Sequence, residues 1–367
     1  MTGAPASLLP ELACYGLAGH SDSPADLLAE VRRAEELGIG SLMLSERYNV
    51  KDAGVLAGAA AAASTRIGIG TAATNHNTRH PLVTATMATT LHRLSDGRYA
   101  LGLGRGFGLL QDLMGIPRVT SAQLADVVDI YRRLWRGEAV AGHDGPAGTY
   151  PYLNQDSAFD ERIPVMMMAI GPKTLRFAGA HADAVVLHSF FSDDTLARAV
   201  GLVRQGAEEA GRDPASVRVW SVLVTVDDRA DEQQRLRKLV GRMATYLQGY
   251  GDVLVQTNGW DPDVLRRFRE DPLVQGYPGA FDQIGTVEEL SHLRDEVIPA
   301  EWLAASATGT PAQCADRIRD QLDAGADSVV LHGATPDELV DVVAAWREVR
   351  PDGLDTLAAN PGWVVAP

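Results

Sequence analysis

Short apolar runs alternate with amphipathic stretches along this chain, and that alternation is what successive βα units around a parallel sheet produce. One unit is explicit near the start. Leu12 to Ala18 reads as a strand, and Ser23-Pro24-Ala25-Asp26 supplies an N-cap serine with proline at the first helical position. Leu27, Leu28, Val31, Ala34 and Leu37 then recur at helical spacing, and Gly38 stands where a helix-ending glycine belongs. The pattern continues with strands over Ser41 to Leu44, Arg66 to Thr71, Arg98 to Leu103, Pro164 to Met168, Asp183 to Leu187 and Val217 to Val226. Helices are expected over Gly54 to Ser64, Pro81 to Leu94 and Ser121 to Arg136. An eighth unit opens on the capping box Thr310-Pro311-Ala312-Gln313, passes Cys314, Ile318 and Leu322, and ends at Gly325 before a strand over Asp327 to Leu331.

Eight such units predict a closed (β/α)8 TIM barrel of the α/β class, and a barrel with loop insertions accommodates 367 residues in one domain, 1–367. Two stretches interrupt the period and read as insertions, at about 142–162, rich in Gly, Pro and Asp, and at about 248–300, with little amphipathic order. A doubly wound sheet of Rossmann type would want a glycine fingerprint straight after the first strand. Gly16-Leu17-Ala18-Gly19-His20 is not G-x-G-x-x-G, and the looser match Gly68-Ile69-Gly70-Thr71-Ala72-Ala73 lies inside a strand.

Charge and cysteine usage narrow the function class. A formal net charge of −15 opposes nonspecific contact with nucleic acid or anionic membranes. No apolar run reaches the ~20 residues of a membrane span, and Met1 to Pro10 lacks the build of a signal peptide, so a cytoplasmic protein is expected. Cys14 and Cys314 sit in no metal-binding or redox spacing, so neither a metal site nor a disulfide framework is expected. Small-molecule chemistry leads.

In a barrel, the reacting groups stand just after the strands. Those positions carry His20, Glu46-Arg47, Thr74-Asn75-His76, Arg105, Ile170-Gly171-Pro172-Lys173, His188-Ser189 and His332. A lone histidine is more often a structural hydrogen-bonding group than a catalytic one, but four of the nine following strands make a stronger joint case. Gly97 to Gly108 is a strand running into a glycine-dense turn around Arg105, where the backbone can approach a flat ring and a guanidinium can pair with phosphate. Ala169 to Thr174 leads from a strand into a helix, where free N–H groups and Lys173 can hold an anion.

These motifs resemble the luciferase-like monooxygenase superfamily, the bacterial-luciferase-like barrels that include flavin monooxygenases and oxidoreductases using the deazaflavin F420. The resemblance runs from Tyr15 to about Leu331. Leu94-Ser95-Asp96-Gly97-Arg98 before the Gly102 to Gly108 turn, and Gly309 to Asp327, carry it most specifically.

The resemblance implies hydride transfer between F420 and a small organic substrate, with Glu46 at a matching catalytic position; His20, His76 or His188, as strand-end imidazoles that titrate near neutral pH, is the expected proton donor or acceptor. It implies a cofactor site built from Arg47, Ala72, Ala73, Asn75, Arg105, Gly106, Ile170, Gly171, Lys173 and Thr174. Thr71 to Asn75 corresponds to a backbone irregularity behind the ring, a non-proline cis peptide near Ala72-Ala73. Glu46-Arg47 falls where F420 enzymes often carry Asp-His, and Phe107 replaces a carboxylate found in sugar-phosphate dehydrogenases of the family. Arg105 leans toward the alternative cofactor FMN, with a flavoprotein monooxygenase served by a separate reductase; a cofactor-free binding protein of the same fold is a third reading. A homodimer packed through helices of the first half of the barrel is implied as well, with the alanine-rich Val55 to Ala63 as a contact face.

Overall fold

Eight parallel strands close into a barrel: β1 (Leu9–Tyr15), β2 (Ile39–Leu44), β3 (Gly68–Thr71), β4 (Tyr99–Leu103), β5 (Val165–Met168), β6 (Ala184–Val186), β7 (Arg218–Asp227) and β8 (Ser328–His332). The computed structural model describes residues 6–18, 23–48, 50–106, 108–156, 158 and 160–366. Each strand pairs with its neighbour in chain order, and β1 closes the ring by placing Ala13 opposite both Ser41 of β2 and Val330 of β8. A short further strand, Ala307–Gly309, lies beside the end of β7.

The local chemistry read from the sequence is what ends the elements. The Ser23 side chain accepts from the Ala25 N–H, and Gly38 adopts φ +77°, a left-handed cap that closes the helix Leu27–Leu37. Thr310 and Gln313 form the reciprocal capping box ahead of the helix Pro311–Asp323. β1 stops three residues before the expected Ala18. The Gly16 N–H leaves the strand to donate to Met43 O, Leu17 takes φ +54°, and its N–H donates to the Glu30 carboxylate at 2.6 Å.

Two cores follow from the closure. One fills the shell between strands and helices, and a second fills the barrel interior with Ala13, Met43, Ala72, Ala100, Met166, Trp220 and their neighbours. Methionine and tryptophan fit inside because β3 presents glycines: a Cβ on Gly70 would meet Met166 Cε at 2.5 Å and Met43 Sδ at 3.1 Å. The barrel is therefore a packed core, and free space exists only at its ends.

The N-terminal end is plugged by the chain's own C-terminal segment. Arg218, fully buried, donates to the carbonyls of Ala358 (2.9 Å), Asn360 (3.1 Å) and Trp363 (2.9 Å), to Ser328 Oγ (3.0 Å) and to Pro10 O at 2.5 Å. Trp220 Nε1 donates to Pro361 O at 2.8 Å.

Both insertions are more regular than the sequence suggests. Residues 142–162, read as a loop, contain most of an antiparallel hairpin, Val140–Gly145 with Gly148–Leu153. Only Val140 and Leu153 of it are buried, so no hydrophobic alternation marks it; main-chain pairing and His143 stacked on Tyr150 hold it instead. The second insertion is helical and begins earlier than 248, its long helix spanning Arg242–Asn258 with shorter helices following to Leu303.

Replacing Arg218 removes the donor that now serves four carbonyls, and each group left buried and unsatisfied costs ~1–3 kcal/mol. Arg218→Met should lower the urea unfolding midpoint by an amount equivalent to roughly 3 kcal/mol or more, with the m-value unchanged. An unchanged midpoint would show that the C-terminal plug contributes nothing to stability.

Candidate functional site

At the C-terminal ends of the strands the barrel opens into a cavity of about 200 Å³. Its floor and walls are Tyr15 to Ala18 after β1, Ser45, Arg47 and Lys51 after β2, Ala72 after β3, and His332-Gly333 at β8. The insertion between β7 and β8 roofs it with Arg242 and Tyr246.

Three cations face this space. Arg242, 6% exposed, pairs through Nη1 with Asp282 Oδ2 at 2.8 Å, while its buried Nε has no partner among the described residues. Asp282 is itself fixed by Thr245, whose hydroxyl donates to Oδ1 at 2.8 Å. The Arg47 guanidinium, partly buried, forms no hydrogen bond or ion pair with any described residue, and burial and Arg242 both lower its pKa. Lys51 Nζ donates only weakly, to Leu17 O at 3.4 Å and Gly16 O at 3.5 Å. Burial, with Arg47 beside it, brings the Lys51 ammonium down to about 8, opposed in part by Glu30.

An aromatic and imidazole network continues behind the roof. His188 Nδ1 lies 2.9 Å from the Ser189 carbonyl, an acceptor, so Nδ1 carries the proton and Nε2 accepts from the Tyr250 hydroxyl at 2.8 Å. Complete burial drives His188 down to about 4 and leaves it neutral at pH 7. Tyr246 OH lies 3.3 Å from His332 Nε2, whose partner nitrogen Nδ1 is buried without a hydrogen bond to any described residue. Burial, then Arg242 and His188, hold His332 well below an ordinary imidazole.

The neighbouring arc, after β3, β4 and β5, has a different character. The Ala72–Ala73 peptide is cis, as expected at this position, and the chain stays laced to both neighbours: Ala72 N–H donates to Leu44 O, Glu46 N–H to Ala73 O, and Thr74 N–H to Gly102 O. Asn75, buried, donates to Gly104 O at 2.9 Å and accepts from the Tyr48 hydroxyl. His76 is buried with Nε2 unpartnered among the described residues, and burial lowers its pKa. Arg105 donates through Nη2 to Ser121 Oγ and leaves Nε unpartnered. Gly106 takes φ +74° where a Cβ would crowd Gln111 Nε2 at 2.7 Å and Asn75 Nδ2 at 3.1 Å. After β5, Gly171 caps the helix Pro172–His181 without a side-chain hydrogen bond; Pro172 has no N–H and the Thr174 N–H donates to Gly171 O at 2.9 Å, which leaves the Lys173 N–H at the helix start, with Ile170 and Thr174 half-buried and Lys173 exposed.

The expected residues thus divide. Arg47, Ala72, Ala73, Asn75, His76, Arg105, Gly106 and Ile170 to Thr174 stand on consecutive strand ends, because β2, β3, β4 and β5 are neighbours. His188 joins the network under the roof. His20 and Phe107 lie outside the described residues. Glu46 is engaged elsewhere: Oε2 accepts from Thr74 Oγ1 at 2.9 Å and from both Arg79 Nη atoms at 3.0 Å, and Oε1 accepts from the Ala53 N–H at 3.2 Å. Its carboxylate ties the β2 and β3 ends to Arg79 and does not line the cavity. Sequence reasoning missed Tyr15, Lys51, Arg242, Tyr246 and Tyr250. The last three recur every four residues, one face of a helix, and that spacing was the available signal.

A family model described as luciferase-like monooxygenase matches residues 7–328. Among curated relatives, the chain is 28% identical over 316 residues to a 5,10-methylenetetrahydromethanopterin reductase of Methanolobus tindarius, covering 84% of this chain and 90% of that protein. It is 29% identical over 351 residues to the enzyme of that name from Methanopyrus kandleri, covering 90% and 95%. Among solved structures, the coenzyme F420 dependent tetrahydromethanopterin reductase from Methanopyrus kandleri superposes with a TM-score of 0.75 at 21% identity, over 95% of this chain and all (100%) of that one. An F420-dependent secondary alcohol dehydrogenase in complex with an F420-acetone adduct gives 0.66 at 20% identity, over 92% and 99%.

The neutral His188 makes stability depend on acid. Above pH 6.5 the imidazole is neutral in folded and unfolded chains alike; from 6.5 down to about 4 only the unfolded chain takes up the proton, so stability falls as pH falls. This group alone should cost roughly 3 kcal/mol by pH 4. Urea midpoints across this range should drop less steeply in His188→Gln, and parallel profiles for the two proteins would show that His188 is not held neutral.

Proposed function

The chain belongs to the luciferase-like monooxygenase family, and from that premise we propose that it is an oxidoreductase exchanging a hydride between the deazaflavin F420 and a small organic substrate. The observation that carries this reading is the mouth cavity itself: a recess lined by Arg47, Lys51, Arg242 and His332, set beside a run of strand ends that offers donors without partners among the described residues. When bound, F420 supplies the carbon centre that gives or takes the hydride.

The arc after β3 to β5 fits such a group. A Cβ on Gly104 would stand 3.0 Å from Ala73 Cβ, so this glycine of the β4 turn keeps backbone open beside Ala72-Ala73. Asn75, Arg105 and Gly106 line that turn, and the Arg105 Nε atom lacks a partner that a phosphate oxygen would supply. The N–H groups of Gly171 and Lys173, with the Lys173 ammonium, offer a second anion contact on the adjacent strand end. His76 Nε2 adds one more orphan close to Asn75.

Proton transfer falls to Lys51 in this reading. His188 is neutral and already accepts from Tyr250, so it has no proton to give at neutral pH, whereas Lys51 Nζ titrates at about 8 on the cavity wall. During reduction the substrate receives the hydride at carbon and the Lys51 proton at the atom that gains the electron pair. The Tyr246–His332 pair orients that wall.

The assembly is proposed as a cytoplasmic homodimer. An apolar groove between the helices Ala53–Ala63 and Pro81–Leu94 is lined by Leu82, Val83, Met87, Leu91 and Leu94, with Val55, Val83 and Leu94 more than half exposed. A second copy of the same two helices is its proposed occupant. Both cysteines are buried and unpaired, consistent with a reducing compartment.

Three measurements test these assignments. Arg105→Ala should weaken F420 binding about 10- to 100-fold, the range of one charge-assisted hydrogen bond. Tighter binding of FMN than of F420 to the parent protein would instead assign the flavin branch and a partner reductase. The reduction rate should fall as pH rises through about 8, and Lys51→Met should lose most of the rate together with that limb; a limb that survives the substitution would remove Lys51 from the reaction. Light scattering should give a dimer that Val83→Glu dissociates, and a monomeric parent would end the assembly proposal.

A further inference from the structure

The proposed function leaves the substrate open, and the charges in the cavity bear on it. The groups facing this space from every packed element are Arg47, Lys51 and Arg242, against the carboxylates of Asp282 and Glu30. Asp282 is committed to Arg242 and Thr245. Glu30 accepts from the Leu17 N–H at 2.6 Å and lies in the field of Lys51. Arg47 is left over. It is a permanently charged guanidinium, partly desolvated and hydrogen-bonded to no acid among the described residues; burial and Arg242 lower its pKa, and Asp282, already paired with Arg242, offsets them in part.

Desolvating a cation without a counter-charge is costly, and a chain whose net charge is −15 has acids to spare for pairing it. Nothing in the described residues pairs it. We propose that Arg47, together with the free edge of Arg242, forms the carboxylate subsite of this cavity, so that the enzyme takes small, flat organic acids as substrates. This rests on the hydride-transfer reading and names the substrate class of that same site.

Three observations favour a carboxylate over other anions. The local excess of one positive charge matches one carboxylate, whereas a phosphate monoester would bring nearly two charges. A guanidinium pairs with the two oxygens of a carboxylate in its own plane, and Arg242 Nε is a buried donor without a partner. The remaining walls are aromatic edges, with Tyr15 set edge-on to His332 at 5.1 Å and Tyr246 6.5 Å from the same imidazole, and about 200 Å³ of space suits a compact planar frame. A neutral ketone or alcohol would leave Arg47 uncompensated throughout the reaction.

The test reads binding, not turnover. Calorimetric titration of the cofactor-free protein with benzoate and with its neutral isostere benzamide should show benzoate bound at least 10-fold more tightly. Arg47→Met should erase that preference, and Arg47→Lys should retain part of the preference because the point charge remains. Equal binding of benzoate and benzamide to the parent, or undiminished benzoate binding by Arg47→Met, overturns the carboxylate subsite. Should Arg47→Met not fold, the benzoate–benzamide comparison on the parent decides. The parent's failure to bind F420 would sink the hydride-transfer reading while leaving the benzoate result to stand or fall separately.

Discussion

Closure of the strand ring through β1, paired on one side with β2 and on the other with β8, decides where every polar group of the site stands. Because all eight strands are parallel, their C-terminal ends open on one side, and residues far apart in sequence become neighbours there. Tyr15, Arg47, Ala72 and His332 meet around a single cavity for this reason alone. The glycines of β3 are a condition of the same closure. With larger residues at Gly68 and Gly70, neither Met43 and Met166 nor the Pro361 segment would fit inside the ring.

The two ends of the barrel handle buried charge in opposite ways. At the N-terminal end Arg218 meets the carbonyls of four residues and Ser328, and Glu11 is matched by Arg350 and by Trp346 Nε1 at 2.9 Å, while Arg98 Nε is the buried donor there without a partner among the described residues. At the C-terminal end Arg47, Arg242 Nε, Arg105 Nε, His76 Nε2 and His332 Nδ1 lack partners among the described residues. Unsatisfied buried groups destabilise a fold unless something else completes them. Their gathering around one mouth, against an Arg218 whose three nitrogens all have partners at the other end, separates a binding surface from a structural plug without appeal to any relative.

Most of the architecture was legible because caps and periodicity are local. Pro81 at the first helical position and the apolar spacing up to Leu94 delimit a helix whose observed bounds coincide with the expected ones. The hairpin after Val140 was not legible, since its strands bury almost nothing and leave no alternation to see. The site was legible in outline only. Positions after strands follow from the barrel, but whether a side chain there is free depends on partners that no local pattern reveals: Glu46 looked like an acid beside the ring and is consumed by Arg79, Thr74 and the Ala53 N–H. The roof was missed for a related reason. Arg242, Tyr246 and Tyr250 share a helical face, yet a π-turn over Arg237–Gly241 precedes them and Tyr250 departs from helical angles at φ −150°, so the amphipathic signal is broken on both sides.

That roof explains how a histidine-rich mouth works with neutral imidazoles. Tyr250 and the Ser189 carbonyl fix the His188 tautomer, and Tyr246 stands between His188, at a centroid distance of 4.7 Å, and His332. Both rings are thereby held as uncharged, oriented dipoles, while the positive charge of the cavity resides on arginine and lysine side chains. Arg47 occupies a position where F420 enzymes of this family often carry a histidine, and the exchange alters what the position can do. A histidine there titrates and can pass a proton; a guanidinium keeps its charge at every pH the protein experiences and can only bind. In the proposed reading, charge compensation and proton transfer, which one imidazole can combine, fall separately to Arg47 and Lys51, whose lowered pKa is in part a consequence of standing beside that fixed cation.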